Sequence, residues 1–184
     1  MKVYTFLTDG FETVEALAVI DILRRAGIEV ETVSITGNEQ VCSAQNITIK
    51  ADTLFKAQPV RKEDVLFLPG GPGYKQYNEC KPLLELLERY HAEGGRIAAI
   101  CAAPSILGHL GILNGKKATA FPGFEKDLTG AEVLTAPVKV VTDGNITTAR
   151  GMGASIELGL ELVKLLISEE KAQEIGLSVQ YLEK

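Results

Sequence analysis

Two short runs that are apolar at every position, Val65-Leu66-Phe67-Leu68 and Ile97-Ala98-Ala99-Ile100, constrain this chain more than any other feature. A strand that alternates apolar and polar residues needs cover on one face only, whereas a run apolar throughout must be covered on both. Each run is followed by a turn and then by a helical pattern. After the first comes a helix over 82–92, where Leu83, Leu84, Leu87 and Tyr90 recur on one face. After the second comes a helix over 102–110, with Pro104 in the first turn, where a missing N–H costs little. Residues 3–7 and 28–35 read as two more strands, separated by a helix over 12–26 that Gly27 stops. Residues 138–142 and 146–149 read as a hairpin turning at Asp143-Gly144, and a last long helix covers 154–167. Strands alternating with helices predict an α/β fold with a mainly parallel sheet and helices on both faces.

The length of 184 residues suits one domain over 1–184, with no role assigned to the segment 168–184. Its 46% apolar residues leave ample material for a core. A net charge of −5 argues against nucleic acid or an anionic membrane as partner, since both need clustered Lys and Arg. Cys42, Cys80 and Cys101 are odd in number and widely spaced, which fits neither a disulfide framework nor a metal site. The N-terminal apolar run is too short for a signal peptide, and no membrane-length apolar stretch follows, so a cytoplasmic location is expected.

The first helix carries two apolar stripes. Ala16, Val19, Ile20 and Leu23 form one, and Val14, Leu17, Ala18 and Ile22 form another on the opposite side. One stripe can pack on the sheet. The other needs a second covering, either a partner copy in a homodimer or another part of the same chain.

In an open parallel sheet, ligands bind at the carboxyl ends of the strands. Three segments reach that edge: Asp9 to Glu15, Leu68-Pro69-Gly70-Gly71-Pro72-Gly73, and Ile100-Cys101-Ala102-Ala103-Pro104. Cys101 lies between a buried strand and a helix, flanked by small residues, as a nucleophile on a sharp turn requires. The helix start beside it would favour a thiolate. The plainer reading is an inert buried cysteine. Gly70-Gly71 is either a simple turn or a place where backbone N–H groups approach an oxyanion. Neither phosphate-binding glycine pattern is present. Glu12 complements the helix dipole. Glu15 sits between the two stripes, and a buried carboxyl there keeps its proton and donates a hydrogen bond to a thiolate. The two histidines, His91 and His109, are surface residues on this reading: His109 lies about 12 Å along its helix from Cys101, and His91 falls at the opposite sheet edge. A Cys–His dyad therefore has no candidate.

At these residues the chain resembles the ThiJ/PfpI superfamily. Leu68-Pro69-Gly70-Gly71 with Ala99-Ile100-Cys101-Ala102-Ala103-Pro104 carries the resemblance, nearest to the branch of the human Parkinson-disease-associated protein and its bacterial relatives. Gly10 with Glu12 and Glu15, Asp21 with Arg24-Arg25-Ala26-Gly27, and Arg150-Gly151-Met152-Gly153 extend it over about residues 2–166. The resemblance implies a flavodoxin-like three-layer α/β/α sandwich, a homodimer, and a cysteine on a strained nucleophile elbow. It maps the nucleophile onto Cys101, the acid onto Glu15 and the backbone donors onto Gly71 and Ala102; Gly70, Phe121 and Arg150 are further pocket candidates. Two departures matter. Phe121 stands where members of this branch often carry a histidine, and Ala102 stands where proteolytic relatives place one, which argues against peptidase activity.

The function this resemblance implies is that of a cysteine-dependent glyoxalase or deglycase that converts α-oxoaldehydes such as methylglyoxal to hydroxy acids. A small reactive carbonyl compound is the substrate, and no cofactor or metal is needed. The alternatives are an oxidative-stress sensor with chaperone-like action that uses the same cysteine, and a non-catalytic interaction module.

Overall fold

The structure, a computed structural model, describes residues 1–56 and 59–183. In chain order the elements are β1 (Lys2–Leu7), α1 (Thr13–Arg25), β2 (Glu29–Ser34), β3 (Gln40–Cys42), β4 (Thr48–Lys50), β5 (Thr53–Leu54), β6 (Val65–Leu68), α2 (Lys75–Glu79), α3 (Lys81–Ala92), β7 (Arg96–Ile100), α4 (Pro104–His109), β8 (Lys117–Ala118), β9 (Glu132–Val133), β10 (Val140–Asp143), β11 (Ile146–Ala149), α5 (Ser155–Leu166) and α6 (Glu169–Ser178). The main sheet has seven strands in the order β10-β11-β7-β6-β1-β2-β5. Only the edge pair β10–β11 is antiparallel. This is the flavodoxin-like α/β sandwich that the strand–helix alternation and the family resemblance predict.

The all-apolar runs are covered on both faces. Leu66 and Leu68 of β6 and Ile97 and Ala99 of β7 point into one core, against Leu83 and Leu87 of α3 and Ile106 of α4. Val65, Phe67, Ala98 and Ile100 point into the other, against Val19 and Leu23 of α1 and Leu158 and Leu162 of α5. Full burial of each such side chain contributes roughly 1.5–3 kcal/mol, so these central strands anchor the fold.

The second stripe of α1 is divided. Ile22 is buried against α5, where Gly159 makes room: a Cβ at Gly159 would lie 2.8 Å from that of Ile22. Leu17 and Ala18 are half-buried, and Val14 remains 43% exposed. The covering from within the chain thus accounts for one end of the stripe only.

Other elements depart from the expectations in detail. The loop joining β10 and β11 is Gly144-Asn145, because Asp143 pairs with Ile146 inside the ladder. The segment 169–178, given no role above, is α6; Ser168 caps it by accepting from Lys171 N, and Ala172 and Ile175 join the α1–α5 core. Lys184 lies outside the described residues. The β3–β4 hairpin, β5, α2, β8 and β9 have no counterpart in the sequence reading. No helix among the described residues is long and apolar enough to cross a membrane.

Candidate active site

The chain runs from β1 outward to β2 and then returns past β1 to β6, so the carboxyl ends of β1 and β6 diverge at a switch point. The loops after β1, β6 and β7 meet there. Gly73 N donates to Gly10 O (2.9 Å), and Glu12 N donates to Gly70 O (2.9 Å), tying the first two loops together. Tyr77 of α2, fully buried, shares its hydroxyl proton between the carbonyls of Phe6 and Pro69, each 3.0 Å away. Nothing in the sequence marks Tyr77, since a lone tyrosine in a short helix carries no signal of its own.

Cys101 follows β7 directly with φ +65°, a left-handed backbone for a residue with a side chain. Such a conformation costs about 1–3 kcal/mol and persists only where neighbours impose it. Here Cys101 N donates to Ala149 O, and Phe121 N donates to Cys101 O, both at 2.9 Å. The sulfur is thereby lifted out of the sheet toward the loops, as the elbow predicts.

Glu15 meets it from the first turn of α1. It is 1% exposed, its Oε2 accepts from Gly70 N at 3.0 Å, and its carboxyl interacts with the Cys101 thiol and the Met152 backbone N–H. Glu12 does more than complement the dipole: its Oε2 accepts from Glu15 N at 2.7 Å and caps the helix. Gly70 is what allows the approach. A Cβ there would fall 2.5 Å from Cys101 Cβ and 2.7 Å from Glu15 Oε2.

Burial pushes the Glu15 carboxyl up to about 7, against the pull of its hydrogen bonds. Burial and the neighbouring carboxylate charge push the Cys101 thiol up to about 12, while the N–H groups of Gly71 and Ala102 pull it down. The expectation of a thiol acidified simply by the helix start is therefore corrected. Desolvation dominates over the two N–H groups that favour a charged sulfur.

The pocket over the sulfur has a volume of about 430 Å³ and apolar walls, including Pro72, Tyr74, Phe121, Phe124 and Met152. The rings of Tyr74 and Phe124 meet edge to face, 5.3 Å apart. Of the predicted site residues, Cys101, Glu15, Gly71, Ala102 and Phe121 line this pocket, and Gly70 lies beneath it. Arg150 does not: it lines an adjacent cavity. His109 is half-exposed beside Asp127, with 3.6 Å between Nε2 and Oδ1. His91 is half-buried rather than on the surface, and burial lowers its pKa. It ends α3, before β7 begins, whereas Cys101 follows the other end of that strand.

A doubly covered α/β sheet with a cysteine on a left-handed elbow and a buried acid against its sulfur defines a class of protein. The chain belongs to the DJ-1/PfpI family, whose model matches residues 1–165. It is 37% identical to protein dj-1beta of Drosophila melanogaster over 95% of each chain. It is 31% identical to a deglycase of Pyrococcus abyssi over 90% of this chain and 99% of that one. The structure of oxidised DJ-1 from Toxoplasma gondii superposes with a TM-score of 0.92 at 32% identity, covering 99% of both chains.

Proposed function

We propose that the protein is a cysteine-dependent glyoxalase or deglycase-type enzyme acting on α-oxoaldehydes without a cofactor. The observation that carries this reading is the Glu15–Cys101 pair, with the Gly71 and Ala102 N–H groups at the sulfur. With Glu15 holding the shared proton, the thiolate adds to the aldehyde carbon. The new oxyanion develops next to those amides and takes the proton from Glu15, giving a hemithioacetal. The Glu15 carboxylate then removes the hydrogen from that carbon and returns it to the neighbouring one, while the hydroxyl proton passes to the former ketone oxygen, forming the thioester of the 2-hydroxy acid. Water cleaves the thioester, so that methylglyoxal plus one water yields lactate and the free thiol. Each good oxyanion donor contributes roughly 2.7–4 kcal/mol. Phe121 has no proton to exchange, which leaves the acid–base work to Glu15. The deglycase name of the Pyrococcus relative supports the same class of chemistry.

The test is lactate formation from methylglyoxal, without glutathione, by the wild type and by Cys101→Ala. Turnover confined to the wild type supports the enzyme. Turnover absent from the wild type would remove it and favour an interaction module.

A second reading, the oxidation sensor, is favoured by the carboxyl of Glu15 against the sulfur, where it would hydrogen-bond a sulfinate. Mild peroxide would then add two oxygens to Cys101 ahead of Cys42 and Cys80. Equal modification of the three in mass spectra sinks that reading.

A further inference from the structure

Beyond the wall made by Phe121 and Met152 lies a second cavity of about 460 Å³. Both side chains line both cavities, and they are 48% and 54% exposed, so neither is locked in the core. The far side of this second cavity is cationic, in a chain whose net charge is −5. Lys139 and Arg150 face each other there. The β10–β11 register that pairs Val140 with Ala149 continues one step outward, and Arg150 N donates to Lys139 O at 2.9 Å.

Like charges directly opposite one another weaken a strand pair, so the sheet gains nothing from this arrangement. Lys139 is partly neutralised by Glu157, at 3.4 Å. The Arg150 guanidinium, half-buried, has no hydrogen-bond or ion-pair partner among the described residues. A guanidinium offers parallel N–H donors that match the two oxygens of a carboxylate or phosphate, and a neighbouring ammonium adds to the attraction. The next residue, Gly151, runs back to the catalytic pair: a Cβ there would sit 3.1 Å from the Phe121 ring and 3.7 Å from Glu15 Oε1.

We propose that this second cavity is an oxyanion subsite, with Arg150 as its principal donor and Lys139 as its support. Resting on the glyoxalase reading, this makes the preferred substrates α-oxoaldehydes that bear a carboxylate or phosphate on an apolar spacer. The aldehyde would lie at Cys101, the spacer over Phe121 and Met152, and the anion at Arg150.

Binding and turnover test this separately. Phenyl phosphate, benzoate and neutral benzyl alcohol are titrated calorimetrically into the wild type, Arg150→Met, Arg150→Lys and Lys139→Met. Phenyl phosphate and benzoate are expected to bind the wild type, more weakly as salt is raised, and about tenfold more weakly to Arg150→Met, with partial recovery in Arg150→Lys. Lys139→Met, at an exposed position, gives a smaller loss and serves if Arg150→Met misfolds. Tighter binding of one anion identifies the group the subsite takes. Equal binding of the anions to wild type and Arg150→Met, binding no tighter than that of benzyl alcohol, or no binding at all overturns the subsite. In turnover, the kcat/KM ratio of 4-carboxyphenylglyoxal to phenylglyoxal is expected to fall about tenfold in Arg150→Met; an unchanged ratio overturns its role in selecting substrate. If the wild type turns over neither compound, the glyoxalase reading fails, and the calorimetry still decides the subsite.

Discussion

Glu15 and Cys101 compete for a proton where water reaches neither well, and that competition sets what each can do. Glu15→Gln keeps an acceptor for Gly70 N and a donor for the sulfur but carries no transferable proton. Turnover of methylglyoxal should therefore fall about 10²-fold or more in this variant, within the usual range for a general acid–base, while alkylation by iodoacetamide still labels Cys101. Full turnover in Glu15→Gln would show that another group moves the proton. The same carboxyl predicts a pH dependence of stability. Its ordinary value of 4.5 is raised to about 7 by burial, so the folded protein keeps the proton to higher pH than the unfolded chain. The stabilising effect is fully present below about 4.5, is lost as pH rises through about 7, and amounts to about 3 kcal/mol. Denaturation midpoints should decline across this window in the wild type and stay flatter in Glu15→Gln. Parallel curves would place the titration elsewhere. Glu15 was legible in the sequence as an acid between two apolar stripes. The Met152 N–H that also holds it was not, because nothing local in Arg150-Gly151-Met152 says that it faces α1.

Among the elements, the β6 loop decides whether the pair can form. Gly70→Ala would set a methyl group against both Cys101 Cβ and Glu15 Oε2. Crowding of this kind typically costs 1–3 kcal/mol, so the variant should melt earlier and lose turnover with Cys101 chemically intact. A variant as stable and active as the wild type would show that the loop can give way. The contrast between elements explains what could be read from the chain. Val65–Leu68 has the bounds expected of it because every residue in it is apolar and buried. The strands of the β3–β4 hairpin are three residues long and largely exposed, with Val41 the only buried position, so no periodicity marks them. For α6 the sequence does carry a signal, Ser168 followed by Glu169-Glu170 and a sparse apolar stripe at Ala172 and Ile175.

At the scale of the molecule, the open end of α1 bears on assembly. Val14 stays exposed while Ile22 of the same stripe is covered by α5, which leaves an apolar patch at the start of the helix. A homodimer that buries this patch predicts twice the monomer mass in sedimentation at micromolar concentration, and a shift toward monomer in Val14→Asp. A wild-type monomer would leave Val14 as a solitary surface residue, which needs no partner.

The periodicities of the sequence were enough to determine the class of fold and the central strands, because burial on one or two faces imprints itself on neighbouring residues. Cys101 and Glu15 could be singled out as types in a context. Their meeting depends on the strand order that sets β1 beside β6 and β6 beside β7, and on a glycine that lets two backbones close over one sulfur. The assignment of Arg150 to a cavity of its own was likewise decided only by the tertiary structure, since the β10–β11 register carries it past the Phe121–Met152 wall. Local patterns record how much of each residue is covered. They do not record by what, and the chemistry of this site lies in that second quantity.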